Sequence, residues 1–210
     1  MKIFITGCAG SGTTLLRKLF YAFQDVEIID GQTSLQNFIS APSKKKFLIA
    51  KRTGKTIFSG IDHDLARKQL TQIRKNKIKI VNIIRDGRDV LINRPFELKP
   101  QRWMISINQR LLFPQGIDLE VKYEDLCTKP DEIQKLIIEK FGLVKKYNFS
   151  EYPMFLPGIT SKDIKPNATL HMPRPIDAKS IQKGDSWKKL CTKKEVALMT
   201  KILKRLGYGA

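Results

Sequence analysis

A five-residue run, Lys2-Ile3-Phe4-Ile5-Thr6, passes directly into Gly7-Cys8-Ala9-Gly10-Ser11-Gly12-Thr13-Thr14 and then into Leu15-Leu16-Arg17-Lys18-Leu19-Phe20. The first run reads as a buried strand. The last carries apolar residues at helical spacing, Leu15, Leu16, Leu19, Phe20 and Phe23. Between them stand three glycines and three hydroxyl side chains in eight residues. Strand, glycine-rich turn and helix start together make an anion site: backbone N–H groups turn inward, the helix start adds positive potential, and Ser11, Thr13 and Thr14 add donors. A tight βα turn without a ligand is the alternative reading of the same residues.

The spacing Gly7-x-x-x-x-Gly12-x-Thr14 is that of a Walker A loop, with Thr13 where the lysine stands. That lysine reaches the β- and γ-phosphates of a nucleoside triphosphate, so its loss counts against ATP chemistry. Downstream, Arg85 stands between the apolar Ile84 and Asp86, so the apolar run does not end in a magnesium-holding acid. The expectation is a phosphate-like ligand that is not a triphosphate tail, and no metal.

The chain of 210 residues is long enough for one α/β domain, here taken as 1–210, with a sizeable core. No run reaches the eighteen or so apolar residues of a membrane span. A strand that begins at residue 2 leaves no room for a signal peptide. Cys8, Cys127 and Cys191 have no metal-ligand spacing and fit a reducing compartment, so a cytoplasmic location is expected. Cys8 reads as a small filler of the anion loop rather than a nucleophile. The formal charge of +19 favours anionic partners such as a nucleotide or an acidic glycan. Its cations are spread along the chain, so composition bias explains it equally well. No aromatic-basic stripe or nucleic-acid motif appears, and no specific nucleic-acid binding is expected.

Further strands are expected over Val26 to Ile29, Phe47 to Ala50, Lys77 to Ile84 and Asp118 to Lys122. Helices are expected over Asp62 to Lys75, Arg102 to Phe113, from Pro130 to Gly142, and after the capping box Thr192-Lys193-Lys194-Glu195. Residues 143–186 read as an irregular, proline-rich segment that caps the substrate or cofactor. Apolar strands alternating with helices define a three-layer α/β sandwich with a central parallel sheet, like that of the P-loop nucleoside triphosphatases. In such a sheet ligands bind off the carboxyl ends of strands. Lys51 and Arg52 are expected just past one such end, and Arg85 at another, where its planar fork suits a phosphate. Asp86 and Asp89 could instead make a structural cluster with Arg85 and Arg88.

Four stretches in order resemble the sulfotransferases that use 3′-phosphoadenosine 5′-phosphosulfate (PAPS). Gly7 to Leu16 resembles the family's 5′-phosphosulfate loop. Arg85-Asp86-Gly87-Arg88-Asp89-Val90 resembles its 3′-phosphate motif. Tyr123-Glu124-Asp125-Leu126, followed by the Pro130 helix and Phe141-Gly142-Leu143, resembles its tyrosine-acid-acid segment. Pro175-Ile176-Asp177, Gly184 and Trp187 resemble the closing segment of bacterial-type members.

The resemblance implies that Ser11, Gly12, Thr13 and Thr14 hold the 5′-phosphate and the bridging oxygen. Gly10 takes the place where many members carry Lys or Arg. Arg85 would grip the 3′-phosphate, with Asn93 standing in for a serine eight residues on. Tyr123 would contact the adenine side. Lys183 and Gly184 would close on the 3′-phosphate, and Lys51 would be the catalytic lysine. The family's usual base positions hold Ala50 and Thr53 here, which leaves His63, Glu97 and His171 as replacement candidates.

The activity so implied is sulfuryl transfer from PAPS to a hydroxyl or amine of a small-molecule or glycan acceptor. A P-loop kinase-like nucleotide enzyme and a catalytically impaired basic binding module are the alternatives.

Overall fold

The computed structural model describes residues 1–53, 63–93, 100–152, 154–157 and 185–208; of residues 63, 93, 109 and 185–187 it describes the backbone only. Five strands, β1 (Lys2–Gly7), β2 (Val26–Ile28), β3 (Phe47–Thr53), β4 (Lys79–Ile84) and β5 (Leu119–Lys122), form one parallel sheet in the order β2-β3-β1-β4-β5. The helices are α1 (Thr13–Leu19), α2 (Leu35–Ser40), α3 (His63–Lys75), α4 (Gly87–Asn93), α5 (Pro100–Leu112), α6 (Tyr123–Thr128), α7 (Pro130–Phe141) and α8 (Lys193–Arg205).

Strand alternation sorts the side chains into layers. Ile3 and Ile5 of β1 and Val81 and Ile83 of β4 face Leu15, Leu16 and Leu19 of α1, with Ile133 and Ile137 of α7 in the same cluster. Phe4 and Ile80 face the other way, against Phe38 of α2 and Leu70 and Ile73 of α3. Farther along that second face, Ile84 packs with Trp103 of α5 and with Met199, Ile202 and Leu203 of α8. Both faces of the sheet are therefore covered, which is why its central strands are apolar on both sides. The three-layer α/β sandwich expected from the sequence is the fold.

Helix ends follow local chemistry. Pro130 stands at the first turn of α7, and Gly142 closes it in a left-handed conformation, its N–H bonded to the Ile138 carbonyl. Thr192 and Glu195 cap α8 reciprocally. The described residues between 143 and 157 carry a short 3-10 turn (Phe149–Glu151) and a β-bridge from Lys145 to Phe23, and Leu143, Phe149, Tyr152 and Leu156 are all buried in the α1-side core.

One expected boundary shifts with a consequence for the site. Sequence ends the third strand at Ala50, but β3 continues to Thr53 because Ile5, Thr6 and Gly7 keep pairing with Lys51, Arg52 and Thr53. Lys51 and Arg52 thus lie within the strand, not beyond it. Helices α4 and α6 also follow the strand ends immediately, at Gly87 and Tyr123, where no helix is predicted.

Candidate functional site

Strand order reverses direction around β1: the chain first moves to β2 and β3 on one side, then crosses to β4 and β5 on the other. The crevice off the carboxyl ends of β1 and β4 is where an open parallel sheet binds ligands. The Gly7–Gly12 loop and Arg85 both lie there.

The loop is a close fit. Ser11 N–H donates to the Cys8 carbonyl at 3.1 Å, and Leu16 N–H returns to the Gly12 carbonyl at 3.0 Å. A Cβ at Gly7 would come within 2.4 Å of the Ile83 carbonyl oxygen. Gly12, at the N-cap of α1, has φ +94, and a Cβ there would meet the Tyr123 ring at 2.4 Å. Only glycine gives this loop its turn while letting β4 and Tyr123 approach so closely. The N-cap of α1 is Gly12, which has no side chain to cap the helix.

Arg85 leaves the end of β4 with its side chain only 9 % exposed. Its Nη1 donates to the Gly10 carbonyl at 3.0 Å, its guanidinium lies 4.1 Å from the Tyr123 ring centroid, and its Nη2 sits 4.0 Å from Asp89. The contact with the ring is a cation–π interaction in a water-poor setting. Arg88 instead makes a fork with Asp86, with contacts of 2.7 to 3.0 Å. The acidic residues therefore divide: Asp86 is committed to Arg88, while Arg85 turns to the loop.

Two buried donors in this crevice, Ser11 Oγ and Arg85 Nε, have no hydrogen-bond partner among the described residues. An unmet buried donor costs about 1–3 kcal/mol, more when charged. Both belong to groups that suit an anion, and together they meet the requirements of a phosphate-bearing ligand: loop amides, a hydroxyl and a cation within one crevice.

Lys51 is buried, 7 % exposed, on the α1-covered face of β3 with Ile49, in register with Ile5. It is thus near the start of the anion loop. Thr13 is buried and Thr14 half-buried in the first turn of α1. Tyr123 opens α6 directly after β5 and is buried between Gly12 and Arg85. His63 opens α3 and Asn93 closes α4, with only their backbones described. Lys183 and Gly184, as well as Glu97 and His171, lie outside the described residues. Burial pushes the Cys8 thiol up to about 12, against a smaller opposing pull from Arg102, so it stays protonated and packs as a small apolar residue.

Several supporting residues escape the sequence. Trp103 Nε1 donates to the Arg85 carbonyl at 3.1 Å. Glu124 Oε1 accepts the Asp86 amide at 2.8 Å, and its Oε2 accepts the Tyr208 hydroxyl at 3.0 Å. Arg17, in the middle of α1, donates to the Ile29 and Gly31 carbonyls at 3.2 and 2.9 Å and pairs with Asp30 at 3.1 Å; it braces the connection after β2. Gln32 in that connection accepts from both the amide and the hydroxyl of Thr53. Of these, only Glu124 carried a sequence signal, as part of the Tyr123-Glu124-Asp125 segment.

The sheet order, the glycine-rich loop after β1 and the arginine at the end of β4 define a three-layer α/β protein with a parallel sheet and a glycine-rich turn at its switch point. Among solved structures, the sulfotransferase domain of the Synechococcus PCC 7002 olefin synthase superposes with a TM-score of 0.63 at 14% identity, covering 100% of this chain and 96% of that one. Mouse sulfotransferase SULT7A1, solved with PAP, gives 0.58 at 14% identity over 100% and 85% of the two chains. A sulfotransferase from Alicyclobacillus acidocaldarius gives 0.54 at 11% identity over 97% and 93%. The chain has the sulfotransferase fold. No protein-family profile matches it, and no curated protein matches it in sequence.

Proposed function

We propose that this protein transfers a sulfuryl group from PAPS to a hydroxyl or amine of a small-molecule or glycan acceptor. The observation that carries this reading is the pair of orphaned buried donors, Ser11 Oγ and Arg85 Nε, on the two elements that bracket the crevice. A nucleotide phosphorylated at both the 3′ and 5′ positions offers an anion to each. The likeness in fold to sulfotransferases, one of them solved with 3′-phosphoadenosine 5′-phosphate (PAP), supports the same assignment.

On this reading the Gly10–Thr14 amides and hydroxyls hold the 5′-phosphosulfate, and Arg85 holds the 3′-phosphate through its fork. The bound donor supplies an activated sulfuryl group whose leaving group is PAP. The protein's work is positioning and charge stabilisation. Lys51 supplies a cation near the bridging oxygen, at low exposure where its field is little screened. Tyr123 keeps Arg85 from swinging out of the crevice by lying under its guanidinium. Thr13 in the Walker lysine position leaves a γ-phosphate without its usual cation, which sets the kinase alternative aside.

The test is a thermal shift with PAP, AMP and ATP–Mg²⁺. PAP without Mg²⁺ at a hundred times its dissociation constant adds about 2.7 kcal/mol, a rise of roughly 5–10 °C for a domain of this size. Arg85→Ala cuts the PAP shift to that of AMP while leaving the fold intact by circular dichroism. A shift with ATP–Mg²⁺ alone, or with none of the three, overturns the proposal.

A further inference from the structure

The turn that presents Arg85 is held by a side chain from the far end of the described chain. Helix α8 closes at Gly207, φ +75, with the Gly207 and Tyr208 amides returning to the Lys204 and Leu203 carbonyls at 3.1 and 2.9 Å. This reversal swings Tyr208 back over β5, where Lys122 Nζ sits 5.1 Å from its ring centroid. Its hydroxyl donates to Glu124 Oε2 at 3.0 Å, and Glu124 Oε1 accepts the Asp86 amide at 2.8 Å. Trp103 Nε1 holds the neighbouring carbonyl, that of Arg85, at 3.1 Å. The peptide that links Arg85 to Asp86 is thus gripped on both polar atoms, one by α5 and the other by the Glu124–Tyr208 pair.

We infer that Glu124 and Tyr208 are positioning residues for the 3′-phosphate: they set the Arg85–Asp86 peptide so that the Arg85 guanidinium stays between Gly10 and Tyr123. This rests on the PAPS reading above. The chemistry supports the division of labour. A carboxylate with one oxygen on a backbone N–H and the other on a phenol is fixed in orientation, and hydrogen bonds to a charged group are the strong ones. Burial raises the Glu124 carboxyl, and the bonds from Asp86 and Tyr208 pull it back toward the ionised form. Removing the phenol hydroxyl therefore loosens the carboxylate that anchors the turn.

The experiment is calorimetric titration of the full chain with PAP and with AMP, which lacks the 3′-phosphate. Tyr208→Phe keeps the ring and loses one hydrogen bond; about tenfold weaker PAP binding is expected, with AMP binding unchanged within about twofold. Glu124→Gln gives the same selective loss by a second route, should either variant fold poorly. In an Arg85→Ala background, Tyr208→Phe adds no further loss, because the two act through one contact. Equal losses for PAP and AMP, or additive losses in the double variant, overturn the inference. A wild type that does not prefer PAP to AMP overturns the cofactor reading itself, and this inference with it.

Discussion

Asp89 follows Arg85 by one helical turn and is 1 % exposed. Burial raises its carboxyl from 3.8 to about 6, the Arg85 cation opposing and the nearby Asp86 and Glu124 charges reinforcing the rise. An acid whose pKa is higher folded than unfolded binds a proton on folding between those values. Its contribution to stability is therefore present at low pH and lost as pH rises from about 4 to about 6. Asp89→Asn removes this dependence, so the variant gains on the wild type across that window; urea midpoints at pH 4, 5 and 6.5 measure it. At this scale the sequence placed Arg85 at the end of an apolar strand, and there it lies, beside Gly10 and Tyr123. The sequence left open whether Asp86 and Asp89 compete for it, because partner choice among four adjacent charges depends on rotamers. The Asp86–Arg88 fork takes Asp86 out of that choice, while Asp89 stays beside Arg85 at 4.0 Å.

Helix α8 is the clearest case of an element written into its own residues. The Thr192–Glu195 box satisfies amides at its start, and Met199, Ile202 and Leu203 form its buried stripe. Thr192→Ala should cost about 1 kcal/mol and lower the melting temperature by roughly 2–4 °C, as scanning calorimetry would show. Helices α4 and α6 are the opposite case. Each is short and follows a strand within two residues; the Asp86 carboxylate caps α4 by accepting the Arg88 amide at 2.9 Å, and Val90 and Leu91 of α4 and Leu126 of α6 are buried in the core. Periodicity over six or seven residues is too brief to announce them. The same holds for the last residues of β3: Lys51, Arg52 and Thr53 are polar, and only their partners in β1 make them strand.

The 143–157 stretch is part of the main core at the scale of the molecule, despite its irregular backbone. The Phe149 ring meets that of Phe23 edge-on at 5.5 Å, and Gln134 of α7 donates to Tyr147 and accepts from Phe149 through its one side chain. Phe149→Ala should cost about 3–5 kcal/mol and shift the entire urea transition, with circular dichroism and tryptophan fluorescence moving together; a separate early transition would show instead that the stretch unfolds alone. Its proline content marks it as irregular in the sequence, which reports backbone irregularity but not what the intervening aromatic residues bury. The parallel sheet, the glycine-rich turn after β1 and the strand-end arginine were determined by sequence alone, because each follows from hydrophobic period, glycine placement or a charge at the end of an apolar run. The grip of Trp103, Glu124 and Tyr208 on the Arg85–Asp86 peptide was decided only by tertiary structure. Those residues lie 18, 38 and 84 positions from their partners, and no local pattern records contacts that the packing of α5, α6 and α8 creates.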